Sequence, residues 1–266
     1  MNLESLCKQV ISLSGKTGKF ILAEQERFSS GSIEKKGFND LVSYVDKTAE
    51  KMLVEELRNI LPEAGFIAEE NTVARSDSKY TWIIDPLDGT TNFIHGVPCY
   101  CISIALVEDK EPVIGIVHEL TRNECFYAWK NGGAFLNGKK IRVSVVDRLS
   151  DSLLATGFPY HDYSLMESYM KIFDYCMRNT HGLRRLGSAA ADLAYVACGR
   201  FELFYEYGLN AWDVAAGVLL VKEAGGKVAD FRGGEDYIFG KEIIAANAGT
   251  FDEFADVVRK IFQKEN

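Results

Sequence analysis

Apolar residues recur at Leu3, Leu6, Val10 and Leu13, a near-helical spacing that predicts a helix over the first 28 residues. A polar break from Gly31 to Gly37 follows. Residues 40 to 61 (DLVSYVDKTAEKMLVEELRNIL) again carry the helical period and stop at Pro62. From Gly65 to about Val145 the pattern turns to short β-branched and aromatic runs: FIAEE, TWIID, ISIALV, VIGIVH and ECFYAW. Asn137-Gly138 is suited to a two-residue hairpin turn. After about residue 150 strands and helices alternate. Strand-like SLLATG precedes a helix at about 163 to 178, and a second helix (SAAADLAYVAC) follows Gly187. Strand FELFYEY, helix WDVAAGVLLVKEA ending at Gly225-Gly226, strand EIIAAN and a helix at about 250 to 263 complete the chain. Helices covering mixed sheets predict a layered α/β or α+β protein.

At 266 residues and 47% hydrophobic composition the chain can bury a sizeable core as one large domain or two closely packed ones. Its net charge of -8 argues against a wide basic face, so nucleic acid is not expected as the primary ligand. The N-terminal stretch has no unbroken apolar segment and no run approaches a membrane span, which predicts a cytoplasmic protein without a membrane segment. The six scattered cysteines are expected to be reduced thiols rather than disulfides or a zinc site.

Charge changes the picture at three places. Glu69-Glu70 follows strand-like FIA. Asp85 and Asp88 end the run YTWII, with Gly89-Thr90-Thr91 directly after. Asp213 opens an apolar helix in Trp212-Asp213-Val-Ala-Ala-Gly217. Separate N-caps and turn formers are the plain reading, and for Asp213 alone they suffice. Two acids at the end of one buried strand repel unless a cation neutralises them. An all-oxygen set suits Mg²⁺, and the isolated His95, His118, His161 and His181 read as surface or structural residues. Gly89-Thr90-Thr91-Asn92 allows close backbone approach and a helix start whose amides face an anion. Gly187-Ser188-Ala189-Ala190 repeats that small-residue start, although for these residues alone ordinary close packing of a helix start is the better reading.

With these residues assembled, the chain resembles the inositol monophosphatases, in the magnesium-dependent, lithium-sensitive phosphatase superfamily. Asp85-Pro-Leu-Asp-Gly-Thr-Thr-Asn-Phe93 and Trp212-Asp-Val-Ala-Ala-Gly217 match its two signatures, and Lys35, Asp46, Glu69-Glu70, Gly187-Ser-Ala and Glu206 fall in the family's order. The resemblance runs nearly end to end. It implies a layered αβαβα sandwich of the inositol monophosphatase and fructose-1,6-bisphosphatase type. One catalytic domain would span residues 1–266, with subregions of about 1–147 and 148–266 and a homodimer as assembly. It implies two to three Mg²⁺ ions. One would use Glu69, Asp85, the Leu87 carbonyl and Thr90. A second would use Asp85, Asp88 and Asp213, and a weaker third Glu69 and water. Gly89 and Thr90 would bind phosphate, and Thr90, polarised by Asp46, would orient the attacking water. Asp88, Gly187, Ser188, Ala189, Glu206 and Asp213 would face the alcohol, and Lys35 or its neighbour Lys36 would lie near the outer metal. The implied activity is hydrolysis of myo-inositol monophosphate, a small-molecule phosphate monoester. Histidinol phosphate, fructose 1,6-bisphosphate, 3′-phosphoadenosine phosphates, NADP or a phosphorylated inositol lipid are alternatives. Some bacterial relatives also act in RNA-polymerase complexes, so a protein- or RNA-binding role is a further alternative.

Overall fold

The computed structural model describes residues 1–27, 33–35, 41–76 and 78–263. Helix α1 (Leu3–Gln25) is capped by Asn2, whose side chain accepts from the Ser5 N–H. A small antiparallel pair, β1 (Ile33–Lys35) and β2 (Leu41–Ser43), precedes helix α2 (Tyr44–Ile60). The helix expected over residues 40 to 61 therefore starts later. Leu41 and Val42 suit either period, and pairing with β1 decides in favour of strand.

Strands β3 (Gly65–Ala68), β4 (Tyr80–Asp88), β5 (Cys101–Glu108), β6 (Glu111–Glu119), β7 (Glu124–Trp129), β8 (Gly133–Leu136) and β9 (Lys139–Ile141) form a seven-stranded sheet in chain order. Only β3 and β4 pair in parallel. The expected hairpin turn joins β8 to β9, with Asn137 at φ 47° and Gly138 at φ 83°, the two positive values a type I′ turn requires. Short helix α3 (Thr90–His95) interrupts the sheet after β4.

The chain then builds β10 (Leu153–Thr156), α4 (Met166–Asn179), β11 (Gly182–Arg184), α5 (Ala189–Ala197), β12 (Leu203–Tyr207), α6 (Ala211–Glu223), β13 (Lys227–Ala229), β14 (Glu242–Ala246) and α7 (Phe251–Gln263). Its sheet has the order β11-β10-β12-β14-β13. The edge strands β11 and β13 are absent from the pattern reading, because three residues carry no period.

Three cores stack these elements into five layers. Leu6 and Val10 of α1 and Leu53 and Leu57 of α2 pack on Trp82, Ile84, Ile104 and Ile116 of the large sheet. On the sheet's other face, Ile83, Ala105 and Val117 meet α5 and α6, which also cover Ala155, Phe204 and Ala245 of the smaller sheet. Beyond it, Tyr169 and Ile172 of α4 and Phe254 and Val258 of α7 pack on Leu154 and Tyr205. The order is α–β–α–β–α, the expected sandwich. Every residue of α5 is buried, as a helix between two sheets must be. The end of β4 and the starts of α3, α5 and α6 thus meet at one place.

Candidate active site

Strand β4 is regular to Asp85, which pairs with Ser103, and then slips by one residue so that Asp88 pairs with Cys101. This extra residue re-aims the side chains that follow. Asp85, 2% exposed, accepts the Leu87 N–H at 2.9 Å. The chain then turns at Gly89, whose φ of 98° suits glycine; a Cβ there would stand 3.0 Å from the Cys99 carbonyl oxygen. Thr90 opens α3, and its hydroxyl lies 2.8 Å from Asp46 Oδ1 and 3.0 Å from the Leu87 carbonyl oxygen. It can donate to one of the two at a time.

Two long-range links complete the arrangement. Asp88 Oδ2 accepts from Ser188 Oγ and from the Ala190 N–H, each at 2.7 Å, which joins the large sheet to the start of α5. Ser103, opposite Asp85, donates to the Trp212 carbonyl at 3.0 Å and so sets the start of α6 beside β4. Asp213 accepts the Asn210 N–H at 2.7 Å, so it caps its helix and faces the other acids at once. Carboxylate oxygens of Asp85, Asp88 and Asp213 all lie within 4.8 Å of one another.

Burial and crowding push all three carboxyls up. Burial is the largest cause for Asp85, followed by Glu69, Asp88 and Asp213. Asp213 rises through burial and then Asp88. Asp88 is pushed up by burial to about 6, against the hydrogen bonds from Ser188 and Ala190. Next to this cluster Glu206 is pushed up to about 8 by burial, with Arg185 pulling the other way.

A model of the inositol monophosphatase family matches residues 2–263. The chain belongs to the inositol monophosphatase family. A fructose-1,6-bisphosphatase/inositol-1-monophosphatase of Thermotoga maritima is 40% identical over 255 residues, 96% of each chain. A Nus factor SuhB of Pseudomonas aeruginosa is 41% identical over 239 residues, 88% of each chain. The crystal structure of an extragenic suppressor protein suhB from Bartonella henselae superposes with a TM-score of 0.91 at 38% identity, covering 96% of this chain and 99% of that one. Membership and these names support a phosphatase.

In this inositol monophosphatase-family chain Glu69, Asp85, Leu87, Asp88, Gly89, Thr90, Gly187, Ser188, Ala189, Glu206 and Asp213 line one pocket. Asp46 is fully buried and meets that pocket through the Thr90 hydroxyl. Glu69 lies outside the tight three-acid set but near enough to raise the Asp85 carboxyl. Lys35 ends β1, and Lys36 lies outside the described residues. The donor set fits a hard cation: one buried and two half-buried carboxylates that repel one another, a strand-end carbonyl and a hydroxyl, with no histidine or cysteine in the cluster. His161 is exposed, in keeping with its surface reading, and also lines the pocket.

Sequence reasoning missed the rest of the pocket wall. Asp192 of α5 lines it at 1% exposure, and its Oδ1 has no hydrogen-bond partner among the described residues. Arg185 reaches the Tyr160 hydroxyl at 2.8 Å. Gly157 lies against Glu206: a Cβ there would fall 2.1 Å from the carboxylate oxygens. Nothing local in these residues marks them. Asp192 reads as an ordinary first-turn acid of a helix.

No helix among the described residues is long and apolar enough to cross a membrane.

Proposed function

We propose that the chain is a Mg²⁺-dependent phosphate monoester hydrolase acting on myo-inositol monophosphate. The observation that carries this reading is the convergence of Asp85, Asp88 and Asp213 within 4.8 Å, beside Gly89 and Thr90. Glu69, Asp85, the Leu87 carbonyl and Thr90 would hold one ion. Asp85, Asp88 and Asp213 would hold a second, and Glu69 a weaker third. Bound Mg²⁺ supplies charge neutralisation for the phosphate and lowers the pKa of water. The Gly89 and Thr90 amides hold the phosphate without reorganising. Thr90 orients the attacking water while Asp46 accepts from its hydroxyl. The new P–O bond would form to that water, which gives up a proton to solvent, as the ester P–O bond breaks and the alcohol takes up a proton from solvent. Asp88, Gly187, Ser188, Ala189, Glu206 and Asp213 face the alcohol. A buried carboxyl such as Glu206 is a hydrogen-bond partner for ring hydroxyls. Lys35 is assigned to the outer metal by resemblance. Inhibition by Li⁺, a homodimer and a cytoplasmic setting belong to the same reading.

Phosphate release from a panel tests it: D- and L-inositol 1-phosphate, inositol 2-phosphate, histidinol phosphate, fructose 1,6-bisphosphate, 3′-phosphoadenosine 5′-phosphate and a phosphatidylinositol phosphate, with Mg²⁺ and with EDTA. Mg²⁺-dependent preference for inositol 1-phosphate is the expected result. A peak on another ester moves the substrate and keeps the site. No release from any of them sinks the enzymatic reading. The relative named as a Nus factor favours a second role in which the chain also acts as a Nus factor. Co-purification with RNA polymerase or RNA supports that role.

A further inference from the structure

Helix α2 carries two carboxylates one turn apart, Asp46 and Glu50, and both are fully buried. Each is bound to a different loop of the pocket. Asp46 accepts from the Thr90 hydroxyl at 2.8 Å. Glu50 takes three donors from the segment just after Glu69. Its Oε2 accepts the Glu70 N–H at 2.7 Å, and its Oε1 accepts the Thr72 N–H and the Thr72 hydroxyl, each at 2.7 Å. On the other side, Glu69 is tied to β4 by its N–H, which donates to the Ile84 carbonyl at 3.2 Å. The backbone carrying Glu69 is therefore held between the sheet and a buried carboxylate of α2.

We infer that Glu50 is a positioning residue: α2 registers the Glu69 loop against Thr90 through two carboxylates four residues apart. This rests on the proposed function, in which Glu69 helps hold Mg²⁺. Hydrogen bonds to an ionised acceptor are shorter and roughly twice as strong as neutral ones. A glutamine at position 50 keeps the volume but has one acceptor oxygen, and its NH₂ faces N–H donors. The Glu69 loop then loses its register while the apolar contacts of α2 stay in place.

The test is Mg²⁺ binding to the purified full chain by titration calorimetry, with inositol 1-phosphate hydrolysis measured in parallel. Glu50→Gln should weaken Mg²⁺ binding about tenfold, roughly 1.4 kcal/mol, and raise the Mg²⁺ needed for half-maximal rate by a similar factor. Thr72→Val, which removes one of the three donors, should weaken binding by a smaller factor, and Thr72→Ser should match the parent. Leu57→Ala is the control: it opens a cavity in the same helix and lowers Tm, yet should leave Mg²⁺ affinity within twofold well below that Tm. Parent-like affinity in Glu50→Gln overturns the inference, as does equal weakening by Leu57→Ala. If Glu50→Gln does not fold, parent-like affinity in Thr72→Val overturns it. A parent that neither binds Mg²⁺ nor releases phosphate overturns the underlying function instead.

Discussion

On one side of the pocket Asp85, Asp88 and Asp213 crowd within 4.8 Å of one another; on the other, Glu206 and Asp192 share the influence of Arg185. Asp85, Asp192 and Glu206 are buried and Asp88 and Asp213 half-buried, and withdrawal from water pushes the carboxyls of both groups upward. For Glu206 the Arg185 guanidinium is the main opposing influence, whereas Asp88 leans first on hydrogen bonds from Ser188 and Ala190. The first group has a geometry that a divalent cation would neutralise. The second has a counter-charge built into the fold, so it can present a hydrogen-bonding surface without an added ion. Two sets of acids withdrawn from water thus support two tasks, and the difference lies in where the compensating positive charge comes from.

The largest expected effect is on the cation side. Asp88→Asn or Asp213→Asn should lower kcat by orders of magnitude with Tm preserved, because these acids repel one another in the metal-free fold. Near-normal turnover of either variant at saturating Mg²⁺ would break the comparison.

The pH dependence of metal-free stability comes next. The folded-state values of Asp88 and Glu206, about 6 and about 8, lie above their ordinary values of 3.8 and 4.5. The fold therefore favours the protonated forms. Their contribution is complete below about pH 4 and is lost as pH rises through 6 and then 8. Scanning calorimetry in EDTA should show Tm falling across that window, and Glu206→Gln should remove the upper part of the fall. Mg²⁺ should restore stability most at the alkaline end, where the carboxylates are ionised. A Glu206→Gln profile parallel to the parent's between pH 6 and 8 would contradict this.

On the alcohol side the effects are smaller. Gly157→Ala should push Glu206 aside and raise KM for inositol 1-phosphate by roughly tenfold, ~1.4 kcal/mol. Hydrolysis of p-nitrophenyl phosphate, which has no ring hydroxyls, should change little. Equal loss on both substrates would assign Glu206 to the metal side instead. Smallest is Asp192→Asn. Neutralising this buried carboxyl, whose Oδ1 has no partner among the described residues, should raise Tm by a few degrees, on the scale of about 1 kcal/mol for one unsatisfied group. A drop in Tm would mean that its attraction to Arg185 outweighs its burial.

Much of this molecule was legible before its structure. The strand YTWII followed by Asp-Pro-Leu-Asp-Gly-Thr-Thr encodes much of its own local shape: a core strand, a glycine turn and a helix start. The strands of the large sheet and the helices SAAADLAYVAC and WDVAAGVLLVKEA were readable for the same reason, since period and end signals lie within a few residues. Where the signal was short it failed. Leu41–Ser43 continued an apolar pattern read as helix, and the edge strands β11 and β13 are decided by their partners.

The sequence by itself determined which residues are candidates for the chemistry: acids, glycine and threonine placed at element ends, where no core role needs them. Only the tertiary structure decided how they meet. Asp88 reaches Ser188 across 100 positions, Ser103 brings Trp212 and hence Asp213 to Asp85, and Glu50 holds the loop of Glu69. None of these links has a local signature, because a serine or glutamate that bonds a distant backbone group looks, in sequence, like any other polar residue on a helix or strand. Their energies come from buried hydrogen bonds between segments far apart in the chain, and those segments become neighbours only when the five layers close.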